Sequence, residues 1–575
     1  MDKVKKFKKL ITETFDFKTQ ILLRVALIGI IIGVIAVAFR QGTDILARFI
    51  LTITEDKTHW YQWLYFPFIT ALCGLLAGWL TQKFAPDAGG SGIPQVKQAL
   101  NTSGVVIKLR TAVVKFVGGI LAIASGMSLG REGPTIQIGA GLASKISRIL
   151  GGKHRKRAVA SGAGAGLAAA FNAPIAGVLF VIEELDRNMS SVALGPAIVC
   201  SVSAAVTCRI LYGDFFTFHY EAASVTGLLG LPLFILTGII CALIGVKFQE
   251  AIILGLDAYE KVLGKKFPKW SWGAFAGFIT GVVALYLPQA IGGCHSTLDA
   301  VLSNEFPLML LVLALLAKFL LTVVAYGSGV PGGIFAPSLV MGALIGSVLG
   351  NLSNFFFPEL GVIPANFAFI GMGAFLTAVT RAPITGIVML FELTGNYALV
   401  LPLMFACIVA HIVADRIKKG SIYRWLLERD GVNIIETSSP SYLQRASVED
   451  AMTTDVDTVG PNQTLVRLIE LFDSTDHNGF PVVDEAGKLV GIVTNEDMHR
   501  ISTDMKFDDF LVKNIMTPNP KIVRPGDNLH TAIIRLYEFK IGRLLVVDEN
   551  DSQKLVGIIT RSDIIHFEAN QELVY

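Results

Sequence analysis

The chain has 575 residues, of which 52% are hydrophobic and 17% charged, and its formal net charge is +3. Soluble proteins carry charge on about a quarter of their residues, so this composition excludes an ordinary soluble globular protein. A bilayer span needs roughly 20 apolar residues. Runs close to that length recur, most clearly at 22–39, 63–80, 192–206, 225–247, 271–287, 307–325 and 398–414. We therefore expect a polytopic membrane protein that is not an enzyme and binds no nucleic acid.

The basic residues of the front part lie in clusters at 3–9, 153–157, 265–269 and 416–419. Positive clusters beside membrane spans mark the cytosolic side, so both termini are predicted to be cytosolic and the number of spans even. Residues 1–430 carry a net charge of +13, whereas the remaining residues carry −10. The tail is therefore predicted to be a separate domain outside the bilayer.

Three stretches place glycines and then a proline ahead of a helical pattern at membrane depth. They read DAGGSGIPQVKQAL (87–100), GREGPTIQIG (130–139) and GSGVPGGIFAPSLVMGA (327–343). Proline suits the first helical turn, where its missing N–H would have no partner. Each stretch predicts a helix that begins inside the membrane with free N–H groups and a positive dipole end. Several such ends around one point predict an anion site, although GSGIP alone also fits a plain turn.

Residues 161–185, SGAGAGLAAAFNAPIAGVLFVIEEL, contain a break inside an apolar segment. Pro174 divides them into pieces of about 14 and about 10 residues, roughly 21 and 15 Å long, which cannot cross a core of about 30 Å. We predict a re-entrant hairpin, which a bilayer tolerates only where protein covers it or it lines a cavity. Glu184 then returns towards the cytosolic side.

The membrane part repeats itself. APIAGVLFVIEEL (173–185) matches APITGIVMLFEL (382–393), which pairs Glu183 with Glu392, and Pro134 aligns in a similar way with Pro337. Two halves are predicted, at about 20–215 and 220–425. Repeats of this kind, often inverted, build transporters with the substrate site at their interface. Chance similarity between apolar segments is the alternative.

The tail also contains two copies of one pattern. Each copy predicts a short strand, a helix and two alternating strands. We assign residues 1–430 to the membrane domain, 431–446 to a linker, and the two copies to 447–503 and 511–567. The tail is thus predicted to be a tandem α/β module.

These motifs together resemble the CLC family of chloride channels and transporters. GSGIP (90–94), GREGP (130–134) and GIFAP (333–337) match the three anion-pathway motifs of that family, and residues 165–185 match a fourth region. The tail resembles paired cystathionine-β-synthase (CBS) domains. The resemblance implies an all-α polytopic membrane protein of two inverted repeats, assembled as a homodimer with one pathway per subunit, plus a small cytosolic α/β tandem CBS module.

The resemblance also implies the chloride-binding residues. Ser91 would bind the central chloride through its hydroxyl, and Ile334 and Phe335 would do so through backbone N–H groups. Tyr423, in KKGSIYRWLLERDG (418–431), matches the tyrosine whose hydroxyl completes the site from the cytosolic side. An interfacial tyrosine is the alternative. Serine at position 91 resembles chloride-preferring rather than nitrate-preferring members.

Two glutamates carry the implied proton chemistry. Glu132 matches the gate, whose carboxylate competes with chloride and swings away when protonated. A structural pair with Arg131 is the alternative, but acidic residues inside a membrane are functional by default. Glu184 matches the internal proton site of exchangers, where channels usually carry an apolar residue. The resemblance thus implies H⁺/Cl⁻ exchange. The alternatives are a passive voltage- or proton-gated chloride channel and a membrane-anchored nucleotide sensor that moves no ions.

Two threonine–aspartate pairs in the tail suggest a ligand. Thr494 and Asp497, and likewise Thr560 and Asp563, lie three residues apart at predicted strand-to-helix turns. In CBS domains this pattern resembles a ribose and phosphate contact for ATP, ADP or AMP. Helix capping by aspartate is the alternative. Apart from such a nucleotide we expect no cofactor and no metal. The expected partners are chloride, protons and the lipids of a cell or inner membrane.

Overall fold

A computed structural model of the protein describes residues 17–55, 64–102, 105–149, 155–186, 191–213, 230–292, 295–432, 443, 446–475, 477–499, 510–549 and 551–572. The chain divides into two compact units, Met1–Glu436 and Thr437–Tyr575. The basic cluster at 3–9, part of the cluster at 153–157 and most of the predicted linker lie outside the described residues.

The first half of the larger unit is helical. Its described helices are α1 (Phe17–Glu55), α2 (Tyr65–Phe84), α3 (Ile93–Asn101), α4 (Leu109–Ala124), α5 (Glu132–Ile149), α6 (Arg155–Phe171), α7 (Pro174–Phe180, continued by a π-helical turn at Val181–Leu185) and α8 (Ser191–Tyr212).

The second half is built in the same way. Its described helices are α9 (Leu231–Ala258, continued by a π-helical turn at Tyr259–Leu263), α10 (Trp272–Tyr286), α11 (His295–Leu302), α12 (Leu308–Gly327), α13 (Phe335–Phe356), α14 (Pro364–Thr380), α15 (Pro383–Thr394), α16 (Val400–Ile417) and α17 (Ile422–Arg429).

Seven helical segments in the described part of the chain are long and apolar enough to cross a membrane. Six of them overlap the apolar runs found in the sequence. The run at 271–287 instead forms α10, which has only 15 residues. The seventh segment is α13, whose start was predicted from its Gly–Pro motif rather than from hydropathy.

The hairpin predicted at 161–185 is present, and the second half contains a matching hairpin that was not predicted. In the first half α6 reverses into α7 at Asn172, and in the second half α14 reverses into α15 at Arg381. These two turn residues have matching left-handed φ angles of 57° and 59°. Both hairpins lie largely inside the protein, which is the condition for irregular backbone at membrane depth.

Close backbone contacts between glycines join the long helices to the hairpins. A Cβ on Gly139 would overlap the carbonyl oxygen of Gly162, and a Cβ on Gly342 would overlap that of Gly371. The contact between α5 and α6 therefore recurs between α13 and α14. Small residues at such crossings let helix backbones approach closely inside a membrane.

Glu183 and Glu392 tie the two repeats together reciprocally. Glu183 accepts hydrogen bonds from the backbone N–H groups of Ile384 (3.0 Å) and Thr385 (2.6 Å) at the start of α15. Glu392 accepts from Ile175 (3.0 Å) and Ala176 (2.8 Å) at the start of α7. Each carboxylate thus caps the short helix of the opposite repeat. The positive end of the helix dipole stabilises a negative charge at this position. Glu183, the neighbour of Glu184, is therefore a structural residue bonded to backbone N–H groups.

The smaller unit contains the elements of two α/β copies. They are α18 (Leu465–Ser474), β1 (Gly479–Val483), β2 (Leu489–Thr494), α19 (Asn495–His499), α20 (Val512–Ile515), β3 (Thr517–Pro518), β4 (Ile522–Val523), α21 (Leu529–Glu538), β5 (Arg543–Val547), β6 (Leu555–Thr560) and α22 (Arg561–Glu572).

Each copy contributes a short segment that pairs with a strand of the other copy. One sheet has the order β1-β2-β3 and the other β4-β5-β6. Strand β3, which opens the second copy, pairs with β2 of the first, while Thr453 near the start of the first copy bonds to Ile558 of the second in both directions at 2.9 Å. The sequence predicted two similar copies but not this exchange, because both copies offer equivalent strand edges.

Candidate anion and proton site

The loops that carry the three Gly–Pro motifs are bonded to one another. The N–H of Gly130 donates to the carbonyl of Gly333 at 2.6 Å, and the N–H of Gly333 donates back to Gly130 at 2.7 Å. Gly90 donates to Val330 at 3.2 Å and accepts from Gly332 at 3.0 Å. These bonds hold the starts of α3, α5 and α13 close together, so the three positive helix ends converge, as the anion-site prediction requires.

Ser91 lies at the centre of this convergence. Its side chain is 1% exposed, and its hydroxyl has no hydrogen-bond partner among the described residues. Gly92 follows with a φ of 88°, a left-handed conformation that glycine adopts without a steric penalty. A Cβ on Gly133 would lie 2.6 Å from the Ser91 hydroxyl oxygen. The hydroxyl therefore lies against the first turn of α5 and is free to donate to an anion there.

An aromatic series connects the start of α13 with Tyr423. The Phe335 ring lies 5.9 Å from that of Phe180, which lies 6.4 Å from the Tyr423 ring. Ile334 and Phe335 are both buried. The buried hydroxyl of Tyr423 has no hydrogen-bond partner among the described residues. The structure thus brings Tyr423, 88 positions after Phe335 in the sequence, to the same region as the helix start.

Glu132 reaches across to α13. Its side chain is buried, and its carboxylate lies close to Ala336, in the first turn of α13. One carboxylate oxygen, Oε2, has no hydrogen-bond partner among the described residues. A Cβ on Gly130 would lie against the same carboxylate, which explains the glycine at that position. An acidic side chain therefore lies at the N-terminal end of α13, where an anion is favoured.

Glu184 is a fully buried carboxylate with two close polar partners. It accepts from the Lys97 ammonium at 3.0 Å and from the Ser421 hydroxyl at 2.5 Å. Lys97 is 2% exposed and Glu184 0%. Lys97 belongs to α3, the helix that follows Ser91, and Ser421 caps α17, which carries Tyr423. Glu184 is therefore bonded to both helices that flank the chloride-binding candidates.

Sequence reasoning missed Lys97 and Ser421. The lysine in GSGIPQVKQAL could have indicated a buried ion pair, because a charged residue at membrane depth needs a partner. Its partner could not be read from the sequence, since Lys97 and Glu184 are 87 positions apart.

Buried lysines support the loops of both repeats and were also missed. The Lys115 ammonium donates to the carbonyls of Ala88 at 2.9 Å and Gly90 at 2.6 Å. Lys318, 203 positions later, donates to Gly292 at 2.8 Å. The same offset relates Pro134 to Pro337, so the repeat alignment would have revealed this pair. Lys115 fixes the loop that presents Ser91.

Within each threonine–aspartate pair of the tail, the threonine donates two hydrogen bonds to the aspartate. The N–H and hydroxyl of Thr494 donate to Asp497 at 2.9 and 2.7 Å. The same groups of Thr560 donate to Asp563 at 2.7 and 2.8 Å. These contacts stabilise the strand-to-helix turns, as the capping interpretation predicts. They leave the nucleotide prediction untested.

The comparisons with known proteins agree with the motifs. The voltage gated chloride channel model matches residues 73–415, and the CBS domain model matches residues 448–503 and 512–570. A protein of Vibrio parahaemolyticus named H(+)/Cl(-) exchange transporter ClcA is 35% identical over 425 residues, which make up 71% of this chain and 90% of that protein.

Solved structures give the same result. A slow cyanobacterial Cl⁻/H⁺ antiporter matches with a TM-score of 0.68 and 31% identity, covering 71% of this chain and 97% of that one. A eukaryotic CLC transporter matches with a TM-score of 0.68 and 20% identity, covering 94% of this chain and 97% of that one, which shows the fold alone. The resemblance found in the motifs is therefore confirmed, and the chain belongs to the voltage-gated chloride channel (CLC) family as a multi-pass integral membrane protein with paired CBS domains.

Proposed function

We propose that the protein exchanges chloride for protons across the membrane. Ser91, Ile334, Phe335 and Tyr423 hold the central chloride, Glu132 is the gate and outer proton site, and Glu184 is the inner proton site. The observation that carries this proposal is the Glu132 carboxylate beside Ala336, in the first turn of α13. A helix N-terminus favours an anion, so a carboxylate at this position competes with chloride for it.

The exchange cycle follows from this competition. Chloride arriving at the helix ends displaces the Glu132 carboxylate, which then takes up a proton and moves away. The proton passes between Glu132 and Glu184, and Tyr423 belongs to the helix whose cap residue, Ser421, donates to Glu184. Backbone dipoles and hydroxyls hold chloride without a direct lysine contact, which suits a site that must also release its ion.

The presence of Glu184 favours exchange over a passive channel. Its repeat counterpart is Leu393, which is buried and apolar, so the acidic residue is specific to one half. Relatives named as exchange transporters support the same choice, at 35% identity for the Vibrio protein. A channel or an inert sensor has no evident need for a second buried carboxylate beside the pathway.

Transport by the purified protein tests the proposal. In vesicles with a chloride gradient and no proton gradient, we expect the wild-type protein to drive protons uphill while chloride moves down its gradient. A passive channel would move chloride without uphill proton movement, and a sensor would move neither ion. Simultaneous recording of chloride efflux and internal pH distinguishes the three, and either of the last two results would refute exchange.

Homodimeric assembly and cytosolic termini belong to the same proposal. The basic clusters at 265–269 and 416–419 support the orientation through the positive-inside rule. Two subunits would carry two separate pathways, because each site described above is built from one chain.

An adenine nucleotide at the CBS pair is a further part of the proposal. The two threonine hydroxyls lie at equivalent turns, which suits a ligand that bridges both copies. We expect ATP, ADP or AMP to bind the full chain in detergent. The change Thr494→Val should weaken this binding about tenfold, since a good hydrogen bond to a charged group is worth roughly 1.5–3 kcal/mol. Isothermal titration measures the affinity, and absence of binding by the wild type would contradict the proposal.

A further inference from the structure

A cleft lies beside the first turn of α5, between α1, α6 and α8. Its polar wall consists mainly of Arg40, Arg131 and Tyr212. The rest of its lining is almost entirely apolar. Thr135, one turn along α5 from Glu132, also faces the cleft. The cleft therefore adjoins the gate.

The neighbours of Arg40 satisfy only part of its hydrogen-bonding capacity and only part of its charge. Its Nε–H is buried and has no hydrogen-bond partner among the described residues. Its guanidinium carbon lies 4.0 Å from the centre of the Tyr212 ring, a cation–π contact that stabilises the charge only in part. A buried donor without an acceptor is costly, so this arrangement favours a ligand that accepts hydrogen bonds.

The cleft is positive when Glu132 is protonated. The charged groups that act on Arg40 are Arg131 and Asp44, and Arg131 also acts on the neighbouring Glu132. Asp44 lies 3.9 Å from the nearest Arg131 nitrogen and is 39% exposed, so its charge is partly screened by solvent. With Glu132 protonated, two guanidinium groups face one partly solvated carboxylate, and the cleft attracts anions.

The cleft lies at the far end of α5 from the basic cluster at 153–157. Helix α5 runs from Glu132 at the cleft to Ile149, and α6 begins at Arg155 within that cluster. An anion in the cleft would therefore approach Glu132 from the side of the membrane opposite the cluster.

We propose that this cleft is a second anion-binding site, separate from that at Ser91 and Phe335, which captures chloride from water before it reaches Glu132. A weakly hydrated guanidinium suits this role, and partial exposure keeps the binding weak enough for release. A positive cleft also raises the local anion concentration and the rate of entry. The assignment of the captured ion as cargo rests on the proposed function, whereas the binding itself does not.

Bromide diffraction tests the binding directly. Crystals of the full chain grown in bromide should show an anomalous peak beside the Arg40 guanidinium, and the Arg40→Gln protein should lose that peak while retaining a peak beside Ser91. A wild-type cleft without bromide would overturn the proposal. A cleft peak in a protein that transports nothing would leave the second site intact and refute only the proposed exchange.

One-sided transport tests the capture role. With the protein oriented in vesicles, Arg40→Gln should raise the chloride concentration for half-maximal exchange about tenfold on the cleft side only. Arg40→Lys, which keeps the charge, should have a smaller effect, and the ratio of chloride to protons should not change. The control is Arg48→Gln, the same change at an exposed position of α1. Equal effects of Arg40→Gln and Arg48→Gln, or no effect of Arg40→Gln, would refute capture at this cleft.

Discussion

Replacing Glu132 by glutamine is expected to separate chloride movement from proton movement. Glutamine keeps the size of the side chain but carries no charge and cannot exchange a proton. Uphill proton transport should fall by about a hundredfold or more, since a positioned proton-transfer group typically contributes 10²–10⁴ in rate. Chloride should still cross, because the neutral side chain no longer competes with it at the start of α13.

The measurement is the pair of chloride and proton fluxes in vesicles driven by a chloride gradient. Glu250→Gln provides the matched control, because Glu250 is also on a membrane helix, α9, but pairs with the exposed Lys247 at 3.0 Å. The control should keep both fluxes near those of the wild type. Undiminished proton transport by Glu132→Gln would contradict the role of Glu132 as the gate.

The anion site was largely predictable because each of its parts is specified by a short stretch of sequence. Each Gly–Pro motif specifies a helix start within about ten residues, so the sequence predicted the starts of α3, α5 and α13 and the presence of Ser91 and Glu132 beside them. The repeat alignment also paired Glu183 with Glu392, but the reciprocal capping by these two residues is a finding of the structure. These features depend on backbone chemistry that operates over one or two turns.

The surroundings of Glu184 were less predictable because their contacts join segments that are far apart in the sequence. Lys97, Glu184 and Ser421 come from three elements, and the Ser421–Glu184 hydrogen bond joins residues 237 positions apart. Nothing in the local pattern of VIEEL specifies which cation approaches Glu184. The exchange of strands between the tail copies was missed for the same reason, since pairing partners are chosen by tertiary packing.

The Lys97–Glu184 pair is expected to be essential to stability as well as to coupling. Both side chains are almost completely buried. Removing one partner of such a pair leaves an uncompensated charge and typically costs 3–5 kcal/mol. Lys97→Met should therefore destabilise the protein strongly and reduce proton transport, and thermal unfolding in detergent measures the first effect.

The double variant Lys97→Met with Glu184→Leu distinguishes charge pairing from packing. Replacing both members of a buried ion pair by apolar groups of similar size is often neutral or stabilising. We therefore expect the double variant to recover most of the stability lost in Lys97→Met. It should still conduct chloride, because Ser91, Phe335 and Tyr423 are intact, but it should not drive protons. If the double variant is as unstable as Lys97→Met, the pair acts through its shape rather than its charge. If it still pumps protons, Glu184 is not the inner proton site, and the route from Glu132 to the cytosol must use another group.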